Sequence, residues 1–354
     1  MKIGILTLPI KSNYGCILQA FALQKVLKDA GHEAWIIRRR WNSEGSSFFH
    51  LLAKHFYHKV IIRKFNQFIK TNLRPQTPIV DTRDKALELN RQGFDAFIVG
   101  SDQVWRMRNT YGVGFNYYLD FVTNPHIKKI SYAASFGVDY WDDPHSNSSI
   151  PTVKKLLKDF DAISVREESG CTICRELFSV EGVHVLDPTL LLDADDYLRA
   201  FSITYSEERY IAVYILDMNK QVKRVISDIS TTLHLPIKFL NSSLTNIAPS
   251  VLSEYFKPSV ENWIKGICNA EFVLTDSFHG TLFSIIFKRQ FLTIGNKNRG
   301  LTRVESILGM LDLSNHIFKN EYSILSEKID YKKVYSKLNQ ERSKSMDFIT
   351  SVLQ

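Results

Sequence analysis

An α/β protein of two domains, each built on an open sheet of parallel strands, is the fold this sequence predicts. Three observations predict it. Apolar runs of strand length are bounded by loop residues, segments of helical spacing separate them, and the alternation starts again near Arg209. At 354 residues the chain exceeds a single compact core and suits two domains of roughly 150 to 200 residues each.

The first strand is "KIGILTL", continuous in apolar residues as a strand buried on both faces must be. The loop "PIKSNYG" follows, then "CILQAFALQKVLKDAG" at helical spacing, with Gly31 as its stop. "AWIIRR" is the next strand, and "FDAFIVGS", "KKISYAAS", "FDAISVRE" and "VHVLDPT" complete the first series. The second series runs "RYIAVYIL", helix "KQVKRVISDISTTL", "LPIKFLN", helix "VENWIKGICNA", "EFVLTDS", helix "TLFSIIFK", "QFLTIG" and helix "RVESILGMLDL". The expected bounds are 1–200 for the first domain, with a helical excursion over 46–93, and 205–330 for the second. A helical segment over 331–354 is expected to pack back on the first domain.

Polar residues gather at the carboxyl ends of these strands. "SNYG" (12–15), "GSDQVW" (100–105), "SVRE" (164–167), "TDSFHG" (275–280) and "GNKNRGLTR" (295–303) each follow an apolar run. Open α/β sheets bind ligands in the crevice outside those ends, so a cleft between the domains is the expected site. Each residue also has a plain structural reading, and both stay open. His279 at a helix start either lies beside anion-attracting backbone N–H groups or bonds a nearby carbonyl. Asp102 caps a turn or acts as a base, and Arg166 forms a local pair with Glu167 or holds an anion. Gly15 and Gly100 suit tight turns, while Lys297, Arg299 and Arg303 suit a solvated basic loop or an anion site.

Composition excludes several classes. Hydrophobic residues make up 44% and charged residues 23%, with no low-complexity tract and a net charge of +8, a balance that favours anionic ligands or surfaces. No run reaches the ~18 apolar residues of a membrane span, and the N-terminus lacks the cleavage pattern of a signal peptide, so a cytoplasmic protein is expected. The four cysteines, Cys16, Cys171, Cys174 and Cys268, form no disulfide framework. "CTIC" (171–174) lies within a helical segment without a second ligand pair, so neither a metal nor a redox centre is expected. Gly-rich dinucleotide and Walker-type fingerprints are absent, and no nucleic-acid motif accompanies the charge. Residues 46–74, "SSFFHLLAKHFYHKVIIRKFNQFIKTNLR", carry basic and aromatic residues with no acidic one. They read either as a helical excursion with a solvated basic face or as a peripheral surface for anionic headgroups.

"NYGCILQAFALQKVLKDAGHE", "FDAFIVGSDQVWR", "SYAASFG", "ISVREESG", "VLDPTLLLD", "TDSFHGTLFSIIF" and "TRVESILGMLDL" occur here in one order. In that series the chain resembles the polysaccharide pyruvyl transferase family over residues 1–320. The resemblance implies a GT-B-like architecture of two Rossmann-like domains facing a cleft. It also implies transfer of pyruvate from phosphoenolpyruvate onto two sugar hydroxyls, giving a cyclic ketal. The sugar would belong to a surface polysaccharide or its lipid-linked precursor, with no cofactor and no metal. His279 matches the family's histidine and would be the general acid, with Ser277 and Gly280 beside it. Arg166, Arg303, Lys297 and Arg299 would hold the donor's oxyanions, since guanidinium forks suit carboxylate and phosphate. Asp102 would be the base for the attacking hydroxyl, and Asn13, Tyr14, Gly15, Ser101 and Gln103 would meet the acceptor. Some family members carry arginine and leucine before the histidine where this chain has Ser277 and Phe278. Either the "NKNRGLTR" loop replaces that cation or the donor is held differently. A nucleotide-sugar-dependent GT-B glycosyltransferase is the alternative enzyme on this architecture, and a non-catalytic carbohydrate-binding scaffold is the third reading.

Overall fold

Short runs of three to five buried residues form strands of parallel sheets in both halves of the chain. The structure, a computed structural model, describes residues 1–40, 62–110, 113–241, 257–296, 300–319 and 322–354. The first series is β1 (Lys2–Leu6), α1 (Tyr14–Asp29), β2 (Glu33–Ile36), α2 (Arg63–Asn72), α3 (Arg83–Glu88), β3 (Ala96–Val99), α4 (Met107–Thr110), β4 (Lys128–Ala134), α5 (Ser146–Leu157), β5 (Ala162–Val165), α6 (Glu168–Ile173) and β6 (Val183–His184). Its six strands lie in the order β2-β1-β3-β4-β5-β6, each pair parallel. The second series is α7 (Ala194–Ala200), β7 (Ile211–Tyr214), α8 (Lys220–Leu233), β8 (Ile237–Phe239), α9 (Val260–Cys268), β9 (Phe272–Thr275), α10 (Phe278–Ile286), β10 (Gln290–Ile294), α11 (Leu301–Met310), β11 (Ile317–Phe318) and α12 (Tyr331–Leu353). Its strand order is β11-β10-β9-β7-β8, again parallel. The fold is therefore α/β with two Rossmann-like units, as the alternation predicts.

Of the described residues, one compact unit holds 1–40, Phe68–Leu191 and Gln340–Gln354, and the other holds 62–67 and Leu192–Asn339. The first unit closes at Leu191, before the expected residue 200. The reason is Tyr197 on α7, whose ring meets Phe283 edge-on at 5.0 Å and so joins the second unit's core. The first core is aromatic. Trp105 stacks on Tyr118 at 5.6 Å, and its indole N–H donates to the Tyr117 carbonyl at 2.9 Å, so no buried donor is wasted. The second unit packs Ile211, Val213, Leu274 and Leu292 of its strands against Val225, Ile226 and Ile229 of α8.

α1 starts where Asn13 accepts the Cys16 N–H at 3.1 Å, and it is enclosed along nearly its whole length. The described part of the basic excursion is amphipathic: Phe65 and Phe68 of α2 are buried while Arg63 and Lys70 face solvent. Residues 46–61 of that segment lie outside the described residues. α12 serves both units. The Tyr335 hydroxyl donates to the Ile286 carbonyl at 2.8 Å at the end of α10, and further along Ser345 accepts the Leu186 N–H at 3.0 Å. Among the described residues no helix is long and apolar enough to cross a membrane.

Candidate functional site

In the first unit the chain leaves β3 through Gly100 at φ +132°, where a Cβ would come within 2.0 Å of the Tyr132 carbonyl oxygen. No other residue fits that close approach. Ser101 comes next and is wholly enclosed. Its N–H donates to Gln19 Oε1 at 2.9 Å, and its hydroxyl lies 3.1 Å from Asp187 Oδ2. Arg166, at the end of β5, donates from Nη1 to that same Asp187 oxygen at 2.8 Å, and its Nη2 is 3.6 Å from Asp102 Oδ1. Burial works against the charge on Arg166, but the Asp187, Asp102 and Glu167 carboxylates outweigh it and hold the guanidinium above its usual pKa. Asp187 is fixed in turn by the Thr189 hydroxyl at 2.7 Å and N–H at 3.0 Å.

Asp102 is the partly open member of this cluster, with 13% of its side chain exposed against 1% for Arg166 and Asp187. Its backbone is left-handed at φ 74°, an uncommon conformation for a residue other than glycine. The residues expected to meet an acceptor divide by accessibility. Asn13 is exposed and Gln103 half-buried, whereas Tyr14, Gly15 and Ser101 are enclosed. Tyr14 and Gly15 build the first turn of α1, and Ser101 fastens Arg166 and Asp187.

In the second unit β9 ends at Thr275 and α10 begins three residues later. Ser277 is its cap, accepting the Gly280 N–H at 3.3 Å, while the Ser277 N–H donates to Thr275 Oγ1 at 3.0 Å. A Cβ on Gly280 would approach Thr275 Oγ1 to 2.3 Å, so the glycine lets the helix start press onto the strand. Gly280 thus has a packing role. His279 occupies the first turn, 8% exposed, with its ring edge-on to Phe278 at 5.2 Å. Arg303 of α11 places its guanidinium 5.3 Å from the centroid of the Phe278 ring, within cation–π range. Lys297 and Arg299 lie outside the described residues.

The structure brings Ser101, Asp102 and Arg166 together in one unit, and Ser277, His279, Gly280 and Arg303 at neighbouring segments of the other. Sequence reasoning missed Gln19, Asp187 and Asp276. Asp276 is 6% exposed and accepts the N–H groups of Leu216 at 2.6 Å and Asp217 at 3.0 Å. Both aspartates end an apolar strand run, the signal that drew attention to Asp102 and could have found them as well. Cys171 and Cys174 are free thiols, and burial pushes the Cys171 thiol up to about 11, away from reactivity at neutral pH. Among the described residues no group of three or more His, Cys, Asp or Glu side chains could hold a metal ion.

The family model for polysaccharide pyruvyl transferase matches residues 13–298. No protein of curated function matches. Among solved structures, the UDP-GlcNAc 2-epimerase of Neisseria meningitidis, bound to UDP-GlcNAc, superposes with a TM-score of 0.53 at 10% identity, covering 100% of this chain and 99% of that one. The UDP-GlcNAc 2-epimerase of Methanocaldococcus jannaschii gives 0.51 at 15% identity over 100% and 99%. A mutant O-GlcNAc transferase of Thermobaculum terrenum matches at 0.45 and 11% identity, covering 99% of this chain and 64% of its own length. At such identities the two epimerase superpositions show the fold alone, here two parallel-sheet units of the GT-B-like kind.

Proposed function

Because the chain belongs to the polysaccharide pyruvyl transferase family, we propose that it takes pyruvate from phosphoenolpyruvate and joins it to two hydroxyls of one sugar as a cyclic ketal. The observation that carries this reading beyond the family is His279 in the first turn of α10, because the N-terminal end of a helix favours an anion. His279 would protonate the methylene carbon of the enol and leave C2 electrophilic. A sugar hydroxyl adds at C2 as Asp102 takes its proton, phosphate departs, and the second hydroxyl closes the ring. Phosphoenolpyruvate and a diol thus yield the ketal and inorganic phosphate, and the scheme requires no metal or resident cofactor.

We assign the donor's oxyanions to Ser277 and Arg303, with Lys297 and Arg299 from the sequence just before α11. Arg166 takes a changed part. Its charge is already countered by Asp187, so its proposed task is to hold Asp102 in place. Asn13 and Gln103, the accessible members of the expected acceptor set, are proposed to meet the glycan. The glycan would be a surface polysaccharide or its lipid-linked precursor, reached at the inner face of a membrane through the basic segment 46–74.

The test is to incubate the purified protein with phosphoenolpyruvate and candidate glycans and follow phosphate release and product mass. A product carrying the ketal, formed in step with phosphate, supports the reading. Thermal stabilisation by UDP-sugars but not by phosphoenolpyruvate would favour nucleotide-sugar glycosyl transfer. Binding of glycan with no donor binding would leave a carbohydrate-binding scaffold.

A further inference from the structure

Three segments that leave adjacent strands of the second sheet converge on one carboxylate. β7 lies between β8 and β9, and β9 lies between β7 and β10. After β9, Asp276 accepts the Leu216 N–H at Oδ1 (2.6 Å) and the Asp217 N–H at Oδ2 (3.0 Å), both from the loop that follows β7. Oδ2 also accepts from the Asn296 side-chain amide at 3.1 Å, in the segment after β10. The same Asn296 nitrogen donates to Asp217 Oδ2 at 2.7 Å, so one amide bridges two carboxylates. Beyond the loop Asn219 caps α8, accepting the Val222 N–H at 2.9 Å. The five-residue connection from β7 to α8 is therefore held by Asp276 in its middle and by the Asn219 cap at its end.

We propose that Asp276 is a positioning residue: it ties the β7–α8 loop and Asn296 to the start of α10 and thereby fixes where His279 stands. The residue is built into the link that matters. Asp276 joins Thr275, the last residue of β9, to Ser277, the cap of α10, and His279 follows two residues later. Any backbone shift at Asp276 is transmitted to the first turn of the helix, because the Ser277 N–H is itself anchored on Thr275 Oγ1. Retaining a buried carboxylate here is costly by desolvation, which raises the Asp276 pKa against the pull of the Leu216 and Asp217 N–H groups and the Asn296 amide. A neutral amide would avoid that cost but could not accept at both terminal positions, where Leu216 and Asp217 each donate to a separate oxygen. An amide offers one accepting oxygen and would turn its own NH₂ toward a backbone N–H. The choice of aspartate is explained by the pair of donors it must satisfy.

The inference rests on the proposed role of His279, and its test is separable from that role. Backbone amide exchange of residues 215–218 is measured in the wild-type chain and in Asp276→Asn, together with the imidazole signals of His279, assigned through the His279→Gln spectrum. The expected result is exchange at Leu216 and Asp217 faster by about tenfold or more, with β9 still protected and the His279 signals displaced. A chain that is merely less stable would lose protection throughout and keep its His279 signals where they were, and that result overturns the proposal. Should Asp276→Asn fail to fold, Asn296→Ala decides the matter. It removes the bridging amide alone and should speed the same two amides by a smaller factor, whereas unchanged exchange overturns the proposal. Addition of phosphoenolpyruvate to the wild-type chain is read separately: no change at His279 counts against the proposed reaction and has no bearing on the exchange result.

Discussion

His279→Ala separates chemistry from donor binding. If the imidazole supplies the proton to the enol, turnover falls by ~10² or more while phosphoenolpyruvate affinity is largely kept. Near-normal turnover in the folded variant would return the histidine to a structural role. Arg166→Ala tests a different idea. Its guanidinium and the Asp187 carboxylate are both 1% exposed, and removing one partner leaves a buried charge alone, which typically costs about 3 to 5 kcal/mol. Denaturant unfolding should show that loss, and Arg166→Lys should recover part of it; a variant as stable as the wild type would refute the pairing. His316 brings in pH. It is 5% exposed, and burial holds its pKa below the usual value, against the Phe291 carbonyl 3.0 Å from Nδ1 and the charge of Glu327. The unfolded chain takes up a proton near pH ~6.5 and the folded one resists it. This contribution to stability is therefore complete above that pH and is lost progressively as pH falls below it and through the lower folded value. His316→Asn should flatten the stability slope between neutral and mildly acid pH, and an unaltered slope would exclude His316 as its source.

At the scale of elements, α10 is set by how closely it lies on β9. Gly280→Ala places a methyl 2.3 Å from Thr275 Oγ1, an overpacking expected to destabilise by roughly 1 to 3 kcal/mol. Combining it with Thr275→Ala should recover part of the loss, because the clashing oxygen is gone; strict additivity in a thermal unfolding series would contradict the contact. The sequence made α10 legible, along with the ten strands from β1 to β10, since each is an apolar run ending in polar residues. β11 was not legible: its two residues, Ile317–Phe318, are flanked by polar His316 and Lys319, whereas the equally short β6 lies at the head of the apolar stretch "VHVL". The networks were less legible than the elements. Asp102, Arg166 and His279 stand out as polar residues at strand ends. Their supports do not, because the partners are distant in sequence: Asp187 meets Ser101 across 86 residues, Gln19 meets Ser101 across 82, and Asp276 meets Leu216 across 60. Two of those three contacts are to backbone N–H groups, which no residue type announces.

For the whole molecule, charge is the property most open to test. The net charge of +8 and the acid-free stretch 46–74 suit a surface that meets anionic headgroups. The protein should sediment with liposomes of high anionic content at low ionic strength, less so as salt rises, and the effect should weaken in a variant with Arg63 and Lys70 changed to glutamate. Both residues are exposed, so the substitutions leave the buried Phe65 and Phe68 untouched. Failure to sediment at low salt would make this an ordinary solvated face.

α12 gives the chain a particular order of completion. The first unit takes its last piece from Gln340–Gln354, although its strands end by His184 and most of the second unit, Leu192–Asn339, is encoded between. Until α12 is made, the Leu186 N–H lacks the Ser345 hydroxyl and Tyr132 lacks the Phe348 ring. During vectorial synthesis the half of the protein translated first is thus left waiting, and the half translated second can close before it. A nascent chain stalled ahead of residue 340 would hold an N-terminal sheet with part of one face uncovered, the kind of surface that chaperones engage.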